Sequence, residues 1–418
     1  MRSRPPPAAG RRLICTIHGE LYDLTEFADQ HPGGRLPLLL ADGADATELF
    51  ETYHPDEASR AVLHRYRLDP NAPPPPPPGP FARAVQVRAA AYFREHGRNP
   101  KASRGQCLWY LLVTGLYLAC LVAYWQGWWA AVPGLAVAGW FVFGMGHDGA
   151  HFAVSRRAWV NRLAALGLLP NMNVLVWYYH HTAGHHVHTN GSDDPDHFIT
   201  YPFIRTSRDR PHRSWHRWQA ALLPLYFLLP TGLMMLVGPV FWLPARRAVG
   251  VVPMRHPRHW RWGLLSWVVS VGALVAVPAV LLPWWKAVVF PLGYLMLSGL
   301  IFSLNVFASH LDAGCFRTGG DGADWARRQV EATRNWRAGS WLASRLSVGV
   351  NHQIEHHLFP GVNPQHYHHL AAVVRQTCLD FGVEYRSYLT LTGFVAASVR
   401  WVHALSQDER NPPPEVLP

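Results

Sequence analysis

Charged residues are scarce in this chain of 418 residues, at 16%, and they are missing altogether from several long segments. Asp, Glu, Lys and Arg are absent from 105–147, 218–245, 263–285 and 287–311. A helix of about 20 apolar residues is long enough to cross the hydrocarbon core of a bilayer. Segments of this length and composition exclude an ordinary soluble protein and predict a membrane protein with several spans.

Cysteine is also rare, and no two cysteines form a CxxC pair. A disulfide framework or a structural zinc site is therefore not expected, and the soluble parts are expected to face a reducing cytoplasm. The basic N-terminus, MRSRPPPAAGRR, is not followed by an apolar segment, so we do not interpret it as a secretory signal. The five cysteines are Cys15, Cys107, Cys120, Cys315 and Cys378.

The formal net charge is +11, and almost all of the basic residues are Arg. A basic chain can bind nucleic acid, but here the basic residues are scattered beside the apolar segments. That placement is typical of contacts with anionic lipid headgroups. We therefore expect membrane lipids, and no nucleic acid, as partners.

A polyproline segment, PNAPPPPPPGP, divides the chain near its N-terminal end. Runs of proline are stiff and extended, so they act as spacers and do not join a packed core. We expect a disordered N-terminus at 1–12, a small module at 13–69, the linker at 70–80, a membrane domain at 81–400 and a C-terminal tail at 401–418.

The small module carries two histidines, His31 and His54, each at the edge of a turn. Apolar alternation around a His-Gly turn in ICTIHGELYDLTEF predicts a hairpin that runs into a short helix capped at Thr25. Two neutral imidazoles that approach from opposite sides can ligate a haem iron axially, which suits electron transfer because no position stays open. A lone pair of histidines is more often a pair of surface residues.

The full pattern YDLTEF, HPGG, DATELF and YH in this module resembles cytochrome b5. The resemblance implies a small α+β domain that binds haem b, with His31 and His54 as the axial ligands. It also implies an NAD(P)H-dependent reductase as a partner. No Gly-rich nucleotide fingerprint follows a strand in this sequence, so we expect the reductase to be a separate protein.

Four membrane-spanning helices are predicted, near 108–125, 128–146, 263–282 and 288–307. The connection inside each pair has little charge, whereas the segments before, between and after the pairs carry many Arg residues. By the positive-inside rule, the N-terminal module, the middle loop and the C-terminal tail face the cytoplasm. The basic segment 83–104 is expected to be an amphipathic lead-in to the membrane.

The apolar segment 218–245 is long enough for a fifth span. A fifth span would place the segments around His186 and His356 on opposite faces of the membrane, and four prolines interrupt any continuous helix there. We interpret it as an interfacial or re-entrant segment. The expected fold is a mainly α-helical integral membrane protein with four spans, interfacial helices and the small N-terminal domain.

Three histidine-rich motifs adjoin the predicted spans at the cytoplasmic side: GHDGAHF, HHTAGHH and QIEHH. In each motif, His or Gln residues are spaced by three or four positions, so they project from one face of a helix. One such pair is most simply a solvated face or a satisfied core histidine, but three motifs at one membrane face favour metal ligation. These pairs and triplets are His147 and His151, His181 and His185 followed by His186, and Gln353 with His356 and His357.

The number of candidate ligands exceeds what one metal ion can use. Imidazole binds iron, zinc, copper and nickel, and two ions with four or five ligands each would account for the set. Sulfur ligands are nearly absent, which argues against an iron–sulfur cluster. A fused haem module favours redox-active iron over zinc.

The motifs HDGAH, HTAGHH followed by TNGSDDPD, and QIEHHLFP resemble the three histidine boxes of the membrane fatty acid desaturases. Together with the b5-like module, Gln at the start of the third box is similar to the front-end desaturases. Those enzymes insert a cis double bond between an existing double bond and the carboxyl end of an acyl chain. The resemblance implies a di-iron centre ligated by His147, His151, His181, His185, His186, His310, Gln353, His356 and His357.

The same resemblance implies the reaction and its partners. An O2-dependent oxidoreductase would receive electrons from the reductase through haem b and remove two hydrogens from an acyl chain carried by CoA or by a lipid. The acyl chain is expected to lie in an apolar tunnel between the spans. The centre and both termini would be cytoplasmic, in the endoplasmic reticulum of a eukaryote or the inner membrane of a bacterium.

Some polar neighbours of the boxes are expected to be supporting or unrelated residues. Glu355 and Asp148 are candidates to orient a ligand histidine, and the acidic residues after the second box are candidates to support it. The second box has three residues between His181 and His185, where many front-end enzymes have two, so the substrate assignment stays open. Histidines expected to be non-ligands are His180, His188, His352, His366, His368 and His369.

Other functions are consistent with the same residues. A sphingolipid desaturase or a b5-fused acyl hydroxylase would use the same ligands on another substrate or with another outcome. From a different class, a non-catalytic membrane haem protein could relay electrons while its histidines hold zinc. Product analysis separates the alkene from the alcohol, and metal analysis separates the enzymes from the electron carrier.

Overall fold

The computed structural model of the protein describes residues 12–54, 57–71, 77–256, 259–316 and 324–408. Within these ranges the chain is mainly helical, as predicted, and its strands form three small two-stranded sheets. The predictions for residues 1–11, 72–76 and 409–418 lie outside the described residues. The sheets pair Ile14–Ile17 with Glu20–Asp23, Arg247–Ala248 with Val252–Pro253, and Asn335–Trp336 with Ser387–Tyr388.

The N-terminal module begins with the predicted antiparallel hairpin, which turns at His18 and Gly19. The prediction of a helix starting at Thr25 is wrong, because residues 25–30 form turns. The Thr25 hydroxyl accepts the Leu13 N–H at 2.8 Å and donates to Asp23, so it fastens the open end of the hairpin. The module's helices are Arg35–Ala41, Thr47–Tyr53 and Glu57–His64.

Three helical segments in the described part of the chain are long and apolar enough to cross a membrane. They are Arg104–Trp125, His259–Leu281 and Trp284–His310, and they match three of the four predicted spans. The fourth predicted span is the helix Ala131–Ala150, which is not among these three segments and whose last turn carries His147 and Asp148. Most residues of this helix are buried, because it lies at the centre of the bundle between two of the apolar helices.

The histidine-bearing end of this central helix is crossed closely by the segment that follows it. A Cβ atom on Gly146 would lie 2.3 Å from the Leu168 backbone nitrogen, and one on Gly149 would lie 2.5 Å from the Ala165 nitrogen. Any larger residue would push the two backbones apart. These glycines therefore allow the segment that follows to pack directly against the turn that carries His147.

The apolar segment 218–245 does not form one straight helix. Its two parts, Ser214–Tyr226 and Pro230–Ala245, are bent by 83° at the break between them. Pro230 begins the second part, where proline is tolerated because its missing N–H would have no helical partner there. The bend agrees with the interpretation as an interfacial or re-entrant segment, and the number of crossings stays a prediction.

Two terminal helices of the membrane domain differ from expectation. The helix Pro80–Glu95 is amphipathic. Its apolar face packs against the helices Tyr367–Asp380 and Trp325–Glu331, so the helix is more than a lead-in to the membrane. The helix Leu391–Gln407 runs across the domain boundary predicted at residue 400. Beyond that boundary Trp401, Val402 and Leu405 are buried, and they pack in one core cluster with Leu223 and Leu311.

The remaining helical segments are short and connect or follow the long helices. Between the first and second pairs of predicted spans, they include Ala158–Ala164, Ala165–Leu168, Val174–Trp177, Tyr178–His185, His186–His188, Asp196–Thr200, Ser214–Trp218, Gln219–Tyr226, Pro230–Gly232, Leu233–Val237 and Gly238–Ala245. The second pair of predicted spans comprises His259–Val271, Gly272–Ala276, Val277–Leu281 and Trp284–Asn305. The segments after that pair include Phe307–His310, Ala313–Phe316, Trp341–Leu346, Gln353–Leu358 and Pro364–His366.

We predict four membrane crossings, with the middle loop and the C-terminus on the same side. Small tags inserted near Arg208 and after the last helix should both be labelled by a reagent applied from the cytoplasm. A tag at 126–130, between the first two long helices, is the control and should be labelled only from the other side. Labelling of the first two tags from opposite sides would make 218–245 a true span and would refute the topology.

Candidate metal and haem sites

The structure brings four histidines from all three motifs together in a first cluster: His147, His151, His181 and His356. One ring nitrogen of each lies within 4.8 Å of the others, and all four side chains are buried. The Nε2 atoms of His147 and His181 are 3.2 Å apart. The residues come from the central helix, the middle loop and the third motif, so this cluster ties three parts of the chain together.

A second cluster lies beside the first and consists of His185, His310 and His357, which are also buried. The Nε2 atoms of His185 and His310 are 3.3 Å apart. His186 lies between the two clusters: its Nε2 is 3.3 Å from that of His181, and it also groups with His356 and His357. All eight predicted ligand histidines thus occupy one buried region.

The donor set of these clusters fits two metal cations. Buried polar atoms are normally hydrogen-bonded, yet the Nε2 atoms of His151, His356 and His357 have no hydrogen-bond partner among the described residues. Imidazole nitrogens that face one another in a buried space without partners need a cation between them. Nitrogen donors without sulfur fit iron in the two-ion arrangement that the sequence predicted.

The opposite ring nitrogens are held by side chains outside the clusters. His185 Nδ1 is 3.1 Å from both carboxylate oxygens of Asp194. His357 Nδ1 is 2.9 Å from the side-chain amide oxygen of Gln329. His151 Nδ1 is 2.9 Å from the Tyr53 hydroxyl. Contacts of this kind fix the tautomer and the ring orientation, so that Nε2 is presented to the metal.

Gln329 and Tyr53 were not predicted from the sequence. Gln329 stands in a helix outside the motifs, and no sequence signal marks it. Tyr53 is the Tyr of the YH pattern and immediately precedes His54, but nothing in that pattern indicates contact with the membrane domain. The predicted support from Asp194 and Asp196 is present, since both carboxylates lie within 3.3 Å of His185 Nδ1.

The second motif is a π-helix over Tyr178–His185, not the α-helix assumed from the i, i+4 spacing. The wider π-helical turn, with its hydrogen bonds from residue i+5 to residue i, absorbs one extra residue per turn. As a result His185 and His186 both lie close to His181, with ring centroids 5.5 and 4.7 Å away. The i, i+4 spacing of His181 and His185 does not by itself distinguish the two kinds of helix.

The third motif forms the short helix Gln353–Leu358, which presents its two histidines to different clusters. Gln353 lies on the same helical face and is buried, and its side-chain oxygen has no hydrogen-bond partner in the described part of the chain. His352 is placed differently, because its Nε2 bonds the Ala338 carbonyl at 2.6 Å and its Nδ1 bonds Asn351 at 2.9 Å. Both ring nitrogens of His352 are therefore already used.

The expected non-ligands lie outside the two clusters. His180 bonds Asp196 at 2.7 Å, and His188 is exposed. Glu355 accepts hydrogen bonds from Asn335 and Tyr385, at 2.8 and 2.9 Å, in place of the predicted contact with a ligand histidine. Burial raises the pKa of Glu355 to about 7. Asp148 accepts a hydrogen bond from Tyr110, but its other carboxylate oxygen lies 3.6 Å from His147 Nδ1, so the predicted orienting hydrogen bond is not made.

The electrostatics of the clusters favour bound cations over protonated imidazoles. Burial, followed by repulsion from neighbouring imidazoles, lowers the pKa of His181, His186 and His356 well below the ordinary value. These rings are therefore neutral and have a lone pair to donate. Burial also opposes charge on His185, but the adjacent Asp194 and Asp196 carboxylates outweigh it and raise its pKa to about 9. The two carboxylates thus stabilise positive charge beside the second cluster.

A narrow, mostly apolar cavity of about 40 Å³ adjoins both clusters. Its lining includes His181 and His185 at one end and apolar side chains of the central region at the other. The bent segment contributes Pro230 and Met234 to the wall, so the bend places these residues beside the histidines. Further apolar lining comes from Trp177, Met172, Phe302 and Val306.

In the N-terminal module, His31 and His54 face one another with ring centroids 5.9 Å apart. The Nδ1 atoms bond the carbonyls of Gly34 and Phe50, at 2.9 and 3.1 Å, which makes Nε2 the nitrogen with the lone pair in each neutral ring. Burial lowers the pKa of His31, which favours that neutral form. A Cβ atom on Gly33 would lie 2.9 Å from the His31 ring, so the first glycine of HPGG is required sterically.

The two histidines open into a cavity of about 560 Å³ that is lined mainly by apolar side chains. Its size, its apolar lining and the paired imidazoles fit a haem held between His31 and His54. One wall comes from the membrane domain, including Lys101, Phe152 and Thr182. The cavity of the module therefore faces the part of the chain that carries the metal clusters.

Comparisons with known proteins agree with this division. A family model described as fatty acid desaturase matches residues 123–389, and a model described as cytochrome b5-like haem/steroid binding domain matches residues 8–69. An acyl-lipid (8-3)-desaturase of Mortierella alpina is 29% identical and aligns over 89% of each chain. An acyl-lipid (7-3)-desaturase of Chlamydomonas reinhardtii is also 29% identical, over 94% of this chain and 81% of that protein.

A third relative is a probable Delta(5) fatty acid desaturase of Dictyostelium discoideum. It is 24% identical and aligns over 95% of this chain and 92% of its own length. The similarity to all three proteins therefore spans both the N-terminal module and the membrane domain.

We predict that Gln353 is needed at the metal centre and that its neighbour His352 is not. Gln353→Ile keeps similar bulk but removes the amide, and it should lower activity on an acyl substrate about 10- to 100-fold or more. Gln353→His is expected to keep the metal without improving turnover. His352→Ala is the matched control and should keep most activity and both metal ions. Loss of metal in His352→Ala together with an active Gln353→Ile would show that the register is wrong by one residue.

Proposed function

The chain belongs to the fatty acid desaturase family, and on that basis we propose that it is a front-end desaturase with its own electron-carrying haem domain. It inserts a cis double bond between an existing double bond and the carboxyl end of an acyl chain. The observation that carries this proposal is the pair of buried imidazole clusters beside a narrow apolar cavity.

Two iron ions are the proposed metals. The first would be held by His147, His151, His181 and His356, and the second by His185, His310 and His357. His186 lies between the clusters and can bind either ion, and Gln353 completes the set from the third motif. When bound, iron supplies the activation of O2 that the oxidation of an unactivated methylene requires.

The protein's own residues orient the ligands and exclude water. Asp194, Gln329 and Tyr53 hold the Nδ1 sides of three ligand rings, so those rings present Nε2 without further reorganisation. Apolar side chains of the cavity keep water from the position where the acyl chain reacts. The bend at Pro230 supports this arrangement, because it brings a membrane-embedded segment against the histidines.

The proposed electron supply enters through the N-terminal module. His31 and His54 would bind haem b, and a separate NAD(P)H-dependent reductase would reduce it. We propose residues 13–69 as the haem domain, 70–80 as the linker and the rest, through the helix Leu391–Gln407, as the desaturase domain. The distribution of Arg residues supports a cytoplasmic position for the haem domain, the middle loop and the C-terminus.

A lipid-bound acyl chain is the proposed substrate. Two of the relatives are named acyl-lipid desaturases, which favours an acyl group esterified to a membrane lipid over one bound to CoA. The clusters lie at the ends of the long helices, as His147 and His310 show. This position is consistent with a substrate that stays in the bilayer.

The function is tested by expressing the full chain in a host that lacks polyunsaturated fatty acids. With several unsaturated fatty acids supplied, the products should contain a new double bond on the carboxyl side of the existing one. Lipid classes separated after short labelling should show the new double bond first in membrane lipids. An alcohol in place of the alkene would indicate a hydroxylase, and zinc without O2 consumption would indicate the electron carrier.

We predict that both axial histidines of the module are essential. His31→Ala or His54→Ala leaves an open iron position and a poorly held haem, so activity should be lost while the protein still inserts in the membrane. His64→Ala, at an exposed position of the same module, is the control and should keep normal activity. Full activity of either axial variant, measured without added cytochrome b5, would contradict the proposed electron route.

A further inference from the structure

The N-terminal module is docked on the membrane domain through contacts of the helix Thr47–Tyr53, which ends just before His54. Glu48 pairs with Arg328, and the Gln86 side chain donates to the Glu51 carbonyl at 3.1 Å. Both contacts join the helix Thr47–Tyr53 to the membrane domain. The helix that leads into the second axial histidine is therefore held in place from outside the module.

Tyr53 is the final residue of this helix, and it reaches furthest toward the metal clusters. Its hydroxyl lies 2.9 Å from His151 Nδ1. Its ring packs edge-to-face on Phe152 with centroids 6.0 Å apart, and a Cβ atom on Gly361 would lie 3.3 Å from the ring on another side. Lys101 closes this pocket by donating to the carbonyls of Phe152 and Gly361, at 2.9 and 2.7 Å.

The chemistry of the hydrogen bond follows from the role of His151. A neutral imidazole that gives Nε2 to a metal carries its proton on Nδ1. His151 Nδ1 must therefore donate to the phenolic oxygen of Tyr53. Comparable contacts of His185 and His357 come from Asp194 and Gln329, which are both in the membrane domain. His151 instead receives its orienting contact from the haem module.

We propose that Tyr53 is a positioning residue of the metal centre that is supplied by the haem module. This inference rests on the proposed function, because it takes His151 to be an iron ligand. The phenolic oxygen holds the His151 ring in the tautomer and orientation that the first cluster needs. Since Tyr53 is the covalent neighbour of His54, one peptide unit and one hydrogen bond then connect an axial haem ligand to a ligand of the metal centre.

The test is Tyr53→Phe in the full-length protein loaded with haem and iron. The substitution keeps the ring packing but removes the acceptor, leaving the buried N–H of His151 without its partner. Iron should leave one of the two sites about 10- to 100-fold faster when a chelator is added, as expected for loss of a contact that orients a metal ligand. The Mössbauer signal of that site should change, while the other iron signal and the haem absorption spectrum stay as in the unmodified protein.

Two matched variants separate positioning from docking. Tyr92→Phe removes a buried hydroxyl that has no hydrogen-bond partner in the described structure and lies away from both sites, so iron release should be normal. Gln86→Leu removes the hydrogen bond to the Glu51 carbonyl and weakens docking without touching His151. Neither control should reproduce the selective change at one iron site.

The possible outcomes are distinct. An altered signal and faster release at one iron site, seen only in Tyr53→Phe, support the proposal. Unchanged iron in Tyr53→Phe, the same change in Gln86→Leu, or changes at both iron sites and the haem would overturn it. If the unmodified protein binds no iron, the proposed function fails and this inference fails with it, whereas an iron-loaded protein insensitive to Tyr53→Phe refutes the inference alone.

Discussion

The structure depends on one constraint: eight imidazoles must lie within a single buried region with their Nε2 atoms directed at one another. Such an arrangement is unfavourable for an empty protein, because close lone pairs repel and buried nitrogens lack partners. Several features far apart in the sequence make it possible. Gly146 and Gly149 admit a backbone against the end of the central helix, and the Asp194 and Asp196 carboxylates offset positive charge. Folding of this region would therefore be coupled to binding of the proposed metal ions.

The parts of this architecture that follow from local periodicity could be predicted from the sequence. Charge-free segments give the long helices, and the four-residue spacing of His147 and His151 places both in one cluster. The distinction between Gln353 and His352 also follows from helical geometry, and the hydrogen bonds of His352 agree with it. In these cases, the interaction that decides the structure lies within one or two helical turns.

Features decided by tertiary contacts could not be predicted in the same way. The Thr25 hydroxyl has the right spacing to begin a helix, but it bonds the Leu13 N–H, which belongs to the start of the hairpin. The i, i+4 spacing of His181 and His185 is equally compatible with an α-helix, and only the need to place His186 beside them selects the wider π-helical turn. Tyr53 contacts His151 from the N-terminal module, and Gln329 contacts His357 from a helix outside the motifs. No local pattern therefore marks either residue.

Because the N-terminal module is docked on the membrane domain, it affects the timing of the successive electron deliveries. Reduction of one O2 to two waters takes four electrons, of which the acyl chain provides two and the reductase must provide the other two. In the proposed function, a single haem held between His31 and His54 carries one electron at a time, so the reductase has to reduce the same module twice for each double bond. A freely diffusing carrier could be exchanged between these two deliveries, whereas a tethered module has a high effective concentration at its own acceptor and remains there. The turnover of this protein should therefore depend on how often the reductase visits, and not on the abundance of a soluble shuttle.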